Sequence, residues 1–209
     1  MVSKFKKKSF WTKQFYLWHW VSSAICLMTM LLFAITGITL NHAGKITAKP
    51  AKIEKTAELS PNLLAEIKVD DDEDSEFKKA LPGPIRQWIS NQFDVTTGGR
   101  AYEWSDIDIY IDLPTPGGDA WMSIDRETGE VIYEKTTRGL IAYANDLHKG
   151  RNTGREWVWF MDIFSGASII FCLTGLALLW VHSKRRPSTW PIVAAGLLIP
   201  FIIIFFFVH

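Results

Sequence analysis

No charged residue lies between Lys13 and Lys45, and the stretch FYLWHWVSSAICLMTMLLFAITGITL fills that gap. It is longer than the roughly 20 apolar residues a helix needs to cross the hydrocarbon core of a bilayer. A second run, WVWFMDIFSGASIIFCLTGLALLWV, covers 157–181 with Asp162 as its one charge, and a third, WPIVAAGLLIPFIIIFFFVH, occupies 190–209. Taken as spans, they divide the chain into a basic segment 1–14, a first helix 15–41, a domain 42–155, a second helix 156–182, a loop 183–189 and a third helix 190–209. Three crossings are expected to put the two ends on opposite faces.

Basic flanks are retained in the cytoplasm. Lys4, Lys6, Lys7, Lys8 and Lys13 precede the first span, and Lys184, Arg185 and Arg186 separate the second from the third. Both segments are therefore expected on the cytoplasmic side, with domain 42–155 and the C-terminus outside. The first run exceeds the roughly 7 to 15 apolar residues of a signal-peptide core and no A-x-A-like site follows, so it is expected to remain as an anchor. With a formal net charge of +1, no nucleic-acid partner is expected, whereas membrane lipid is. Cys26 and Cys172 both fall inside spans, where thiols behave as small apolar groups. Neither a C-x-x-C-H haem-attachment motif nor a C-x-x-C zinc spacing occurs.

Domain 42–155 has the size of one small globular unit. KITAKPAKIEKTAELSPNLL, 45–64, reads as a linker entering a short helix capped at Ser60, with Pro61 at its first position. A longer helix is expected from about Pro84, with Ile85, Trp88, Ile89 and Phe93 on one face. EWSDIDIYIDL alternates Ile107, Ile109 and Ile111 with polar neighbours, and AWMSIDRETGEVIYEKT reads as two strands joined at DRETGE. A helix packed on a small antiparallel sheet accounts for this order. The aspartates of the alternating strand suit the wet face of such a sheet better than a metal site. The acidic run 70–76 lacks the glycine and ligand spacing of a calcium loop.

Four of the five histidines stand at the ends of the first two spans. In an antiparallel helix pair His19 is expected opposite His182 and His42 opposite His148. Two facing imidazoles are what a six-coordinate b-type haem needs without a covalent tether. Ser22, Ser23, Ala24, Gly37, Ser165, Gly166 and Gly175 offer room for a flat macrocycle, although small residues also let helices pack closely with no cofactor. Lys45, Lys149, Arg151 and Arg155, and Lys184 to Arg186 at the other face, could meet propionates. The competing account makes each histidine an amphipathic boundary residue. His19 and His42 lie about 34 Å apart on an unbroken helix, which calls for a break near Gly37 or a different ligand, and His148 must reach its site from a loop or a helix extension. His209 has no partner in sequence. Asp162 either orients His148, meets Arg155 or relays a proton, or is a plain interfacial carboxylate.

FAITGITL (33–40) and FCLTGLALLW (171–180) share a Phe-x-x-Thr-Gly core. That echo, with WHW at 18–20, LHKG at 147–150 and SIDRETGEVI at 123–132, resembles the PepSY-associated transmembrane proteins over most of the chain. The resemblance makes the small α+β extracytoplasmic domain PepSY-like, so the expected fold is a mainly α membrane protein with three transmembrane helices and that domain between helices 1 and 2. It implies a bacterial inner-membrane location and, as in the characterised type, two b haems ligated by histidine that reduce ferric iron or ferric siderophores. His19 and His148 match the family's positions, whereas His42 and His182 are carried by facing geometry. With three spans and one outer domain the chain departs from longer members, so it resembles a short branch or one half of a homodimer.

The expected activity is oxidoreductase. Electrons would pass from a cytoplasmic or quinol donor through haem b to a periplasmic acceptor, namely ferric iron, a ferric siderophore or a flavoprotein. No G-x-G-x-x-G fingerprint is present, so any nucleotide site belongs to another chain. The alternative class is a non-enzymatic membrane-anchored PepSY module that binds a peptide or an envelope protein. Metal transport is the weakest reading, because three spans with one carboxylate offer little path.

Overall fold

The computed structural model describes residues 2–47, 49–68 and 80–208; the acidic run 70–76 and His209 lie outside them. Three helices are long and apolar enough to cross a membrane: α1 (Val2–Asn41), α5 (Arg155–His182) and α6 (Thr189–Phe207). Their large apolar side chains, such as Trp20, Met28, Leu173 and Phe205, are exposed, as lipid-facing groups are, while Ser22 and Cys26 are buried. The chain divides into two compact units, one made of 1–32 with 159–209 and the other of 33–158. In the first, α1 and α5 run antiparallel, since Tyr16 meets His182 and His19 meets Phe171.

The second unit holds β1 (Ala51–Glu58), α2 (Pro61–Ala65), α3 (Gly83–Phe93), β2 (Tyr102–Trp104), β3 (Asp108–Asp112), β4 (Gly118–Asp125), β5 (Glu130–Thr137) and α4 (Leu140–Lys149). The strands form one sheet in the order β1-β5-β4-β3-β2, antiparallel throughout. Period-2 alternation buries Ile109 and Ile111 of β3 and Ala120, Met122 and Ile124 of β4. Ile85, Ile89 and Phe93 of α3 are spaced four apart, so they share one helix face and join the same buried cluster. Trp88 packs at its edge. α3 stops at Asp94, which takes the left-handed conformation (φ 58°) and donates its N–H to Ser90 O.

Three sequence expectations change here. The stretch 45–64 is not all linker: Ala51–Glu58 is a full strand, registered from Ala51 opposite Thr137 to Glu58 opposite Glu130. Its side chains are exposed except Ala57, which is half-buried, so no alternation marks it in the sequence. Cross-strand pairing holds it, helped by Lys52 Nζ at 2.8 Å from Glu134. Ile107 is 74% exposed and precedes β3, in a turn where Ser105 Oγ accepts the N–H groups of Ile107 and Asp108. Ser60 does occupy the position before α2, with Pro61 in the first turn, but its hydroxyl makes no capping bond.

The β4–β5 turn is closed by Asp125, whose Oδ1 accepts the N–H of Glu127 at 2.9 Å and of Thr128 at 2.6 Å. These bonds, first that from Thr128, hold the Asp125 carboxyl below its ordinary value of 3.8. A lowered folded value means the turn's contribution is full above that ordinary value and is lost as the pH falls through the folded one. The protection of the Glu127 and Thr128 amides, relative to their intrinsic exchange rates, is therefore expected to fall as the pH drops below 3.8 while the β3–β4 amides stay protected. Asp125→Asn should remove that pH dependence.

Candidate functional site

His19 sits in the middle of α1, half-buried. Its Nδ1 lies 3.2 Å from Phe171 O and 3.1 Å from Thr174 Oγ1, both on α5. A carbonyl only accepts, and the Thr174 hydroxyl donates its proton to Ile170 O at 2.7 Å. Nδ1 therefore carries the proton and Nε2 keeps its lone pair. The ring stacks on Phe171, with centroids 4.7 Å apart and planes 16° from parallel. Gly175 leaves space for its edge: a Cβ there would stand 3.2 Å from His19 Cε1.

His148 is held in the same way by different helices. It lies in the last turn of α4, and its Nδ1 is 2.6 Å from Thr36 Oγ1 of α1. The Thr36 hydroxyl donates back to Phe33 O at 3.2 Å, which leaves its oxygen to accept from His148. The ring rests on Phe33 with centroids 4.7 Å apart and a 32° tilt, and a Cβ at Gly37 would lie 3.8 Å from Cε1. Each copy of Phe-x-x-Thr-Gly thus receives one histidine from another helix.

The other two histidines differ. His182 donates Nδ1–H to Leu178 O at 2.8 Å, and its Nε2 accepts from the Tyr16 hydroxyl at 3.1 Å. His42 is exposed and donates Nδ1–H to Ile38 O of its own helix at 3.0 Å. The structure brings no two described histidines into hydrogen-bonding or ring contact. His19 meets α5 at Thr174, eight residues and about 12 Å along the axis before His182. His148 meets α1 at Thr36, six residues and about 9 Å before His42. α1 continues unbroken past Gly37, and His148 has a helix of its own rather than a loop or an extension of α5.

α4 is fixed to the sheet by a buried carboxylate. Asp146 Oδ2 accepts the N–H of Gly117 at 2.8 Å and lies 3.9 Å from Arg138. Gly117 has φ +71°, and a Cβ there would meet the Tyr143 backbone, 2.6 Å from its N. Asn145 Oδ1 accepts from Thr39 at 2.6 Å, and Trp157 Nε1 donates to Leu147 O at 2.9 Å. Gly150, left-handed at φ 65°, ends the helix, which accounts for the glycine of LHKG. Beside α4 is an open cleft of about 350 Å³, lined by Lys49, Arg138 and Asn145 among others. Arg151 and Arg155 are exposed and, like Lys45 and Lys149, make no side-chain ion pair with a described residue. Asp162 is exposed too, and the orienting bond to His148 comes from Thr36 instead.

The sequence singled out His19 and His148 but missed Phe33, Thr36, Phe171 and Thr174 as their holders. The repeat was the available signal. A family described as "Putative PepSY_TM-like" matches residues 10–209. The chain belongs to the PepSY_TM-like family. No curated protein and no solved structure matches it. Both histidine sites of this PepSY_TM-like chain fall within the matched residues.

Among the described residues no three His, Cys, Asp or Glu side chains gather into a metal cage. At each histidine site a single imidazole nitrogen, Nε2, is left without a described partner. The donor chemistry fits: a ligating histidine usually has its second ring N–H held by an oxygen acceptor.

Removing the Asp146 carboxylate leaves the buried Gly117 N–H without its acceptor, at a cost of about 1–3 kcal/mol. Asp146→Ala is expected to lower the denaturation midpoint of the sheet unit. Gly117→Ala should do the same through a strained φ and the clash with Tyr143. Circular dichroism of the full chain in detergent, with a wild-type midpoint in either variant, would contradict this docking role.

Proposed function

We propose that this PepSY_TM-like protein is a bacterial inner-membrane b-type haem protein that passes electrons outward to ferric iron or a ferric siderophore. The observation that carries the reading is the state of His19 and His148. Each has Nδ1–H bound to an oxygen acceptor, a ring fixed on a phenylalanine, and an Nε2 that no described residue claims. Family membership supports the membrane setting.

Haem b, when bound, supplies reversible one-electron transfer. The residues of this chain ligate, orient and insulate. His19 and His148 are the proposed ligands; His182 stays on the Tyr16 hydroxyl and His42 on Ile38 O, outside both sites. Arg151 and Arg155, both exposed, would meet propionates by charge-assisted hydrogen bonds. The basic flanks put the N-terminus and the α5–α6 loop in the cytoplasm, where a cytoplasmic reductant or quinol is oxidised. One electron then reduces one ferric ion at the periplasmic side. The cleft beside α4, with Lys49 and Arg138 on its wall, suits an anionic ferric chelate.

Purified full-length protein from haem-replete cells should show b-type haem bands in its reduced-minus-oxidised spectrum. A colourless protein would overturn the reading and favour the binding-module class. His19→Ala and His148→Ala should each lose haem, and full haem content in either would remove that residue as a ligand. Asp162→Asn is expected to leave spectra and ferric-chelate reduction rates unchanged, since Asp162 is exposed and the orienting bond to His148 comes from Thr36; a slowed reduction rate would give it a proton-relay role.

A further inference from the structure

The two Phe-x-x-Thr-Gly copies do the same physical job in different surroundings. In both, a phenylalanine supplies a stacking face, a threonine hydroxyl accepts Nδ1–H, and a glycine leaves room for Cε1. We propose that this motif is a duplicated histidine seat whose threonine and glycine are positioning residues, fixing the imidazole tautomer so that Nε2 is the atom presented to the iron. The proposal rests on the haem reading for what Nε2 meets, but the seat itself is a property of the protein alone.

The copies are not equivalent, and the differences run in opposite directions. His19 has two acceptors, the Thr174 hydroxyl and the Phe171 carbonyl, so losing one leaves the other. His148 has Thr36 alone, at 2.6 Å. The threonine matters more at the His148 seat. The glycine matters more at the His19 seat, because a Cβ at Gly175 would press on His19 Cε1 at 3.2 Å, whereas one at Gly37 would make ordinary contact at 3.8 Å. Packing alone accounts for the glycine half but not for the threonine half, since valine fills nearly the space of threonine and lacks only the acceptor. The hydrogen bond also tunes the ligand: an acceptor at Nδ1 makes imidazole more basic and favours ferric iron. Its loss should raise the midpoint potential of the haem on that histidine.

The test uses the full chain in detergent or nanodiscs, with ¹⁵N-labelled histidine, as wild type and as Thr36→Val, Thr36→Ser, Thr174→Val, Gly37→Ala and Gly175→Ala. In haem-free wild type, His19 and His148 should both show a protonated Nδ1 and an unprotonated Nε2. Thr36→Val should turn His148 into a tautomer mixture and Thr36→Ser should restore it, while Thr174→Val should leave His19 protonated at Nδ1. Gly175→Ala should shift the His19 resonances more than Gly37→Ala shifts those of His148. In haem-loaded samples, Thr36→Val should weaken retention at the His148 site about 10–100-fold, the usual effect of removing such a partner, and raise its midpoint potential. An unchanged His148 tautomer in Thr36→Val, or equal effects in the two copies, would overturn the seat. A wild type that never takes up haem would overturn the functional reading, while the ¹⁵N measurement on that same protein still decides the seat.

Discussion

An imidazole held between apolar helices has few neighbours able to hydrogen-bond, and an unmet N–H there costs free energy that water would otherwise supply. The orientation of His19 and His148 depends on how that need is met. Backbone carbonyls of a helix are already taken by its own ladder, apart from a spare lone pair, so the reliable acceptor is a threonine hydroxyl that bonds back to its own helix. Thr36 and Thr174 are of this kind. Such a hydroxyl gives its proton to the turn before it and turns its oxygen outward, which settles which imidazole nitrogen carries hydrogen.

The rest of the second unit secures that contact for His148. α4 is only ten residues long, too short to be stable alone. It is held by the Asp146 bond to Gly117, by Asn145 to Thr39 and by Trp157 to Leu147, and Gly150 terminates it one residue after Lys149. The sheet therefore has a purpose beyond its own core: through Gly117 it holds a short helix whose last turn carries the histidine. His19 needs no such support, because α1 and α5 are long enough to cross the bilayer and α5 itself supplies the acceptors.

Much of the fold was legible. The three spans followed from charge-free length, α3 from the four-residue spacing of Ile85, Ile89 and Phe93, and the β4–β5 hairpin from Asp125 and Gly129 at its turn. β1 was not legible, since a strand exposed along its length has no burial pattern for sequence to reveal. Ile107 misled because it continues an alternation whose structural strand begins one residue later. Facing pairs of histidines were expected from their positions at the span ends, but position along a helix does not fix which partner a side chain reaches. Helix rotation and offset do, and they carry His19 to Thr174 and His148 to Thr36.

The sequence by itself determined that this chain crosses a membrane and that a small sheet domain is inserted between its first two spans. These follow from hydrophobicity and periodicity, which are local. Only the tertiary structure decided what the repeated Phe-x-x-Thr-Gly touches. Its meaning lies in contacts 112 residues apart for Thr36 with His148 and 155 apart for His19 with Thr174. A hydrogen bond between distant segments leaves no trace in either until folding brings the donor and the acceptor within reach.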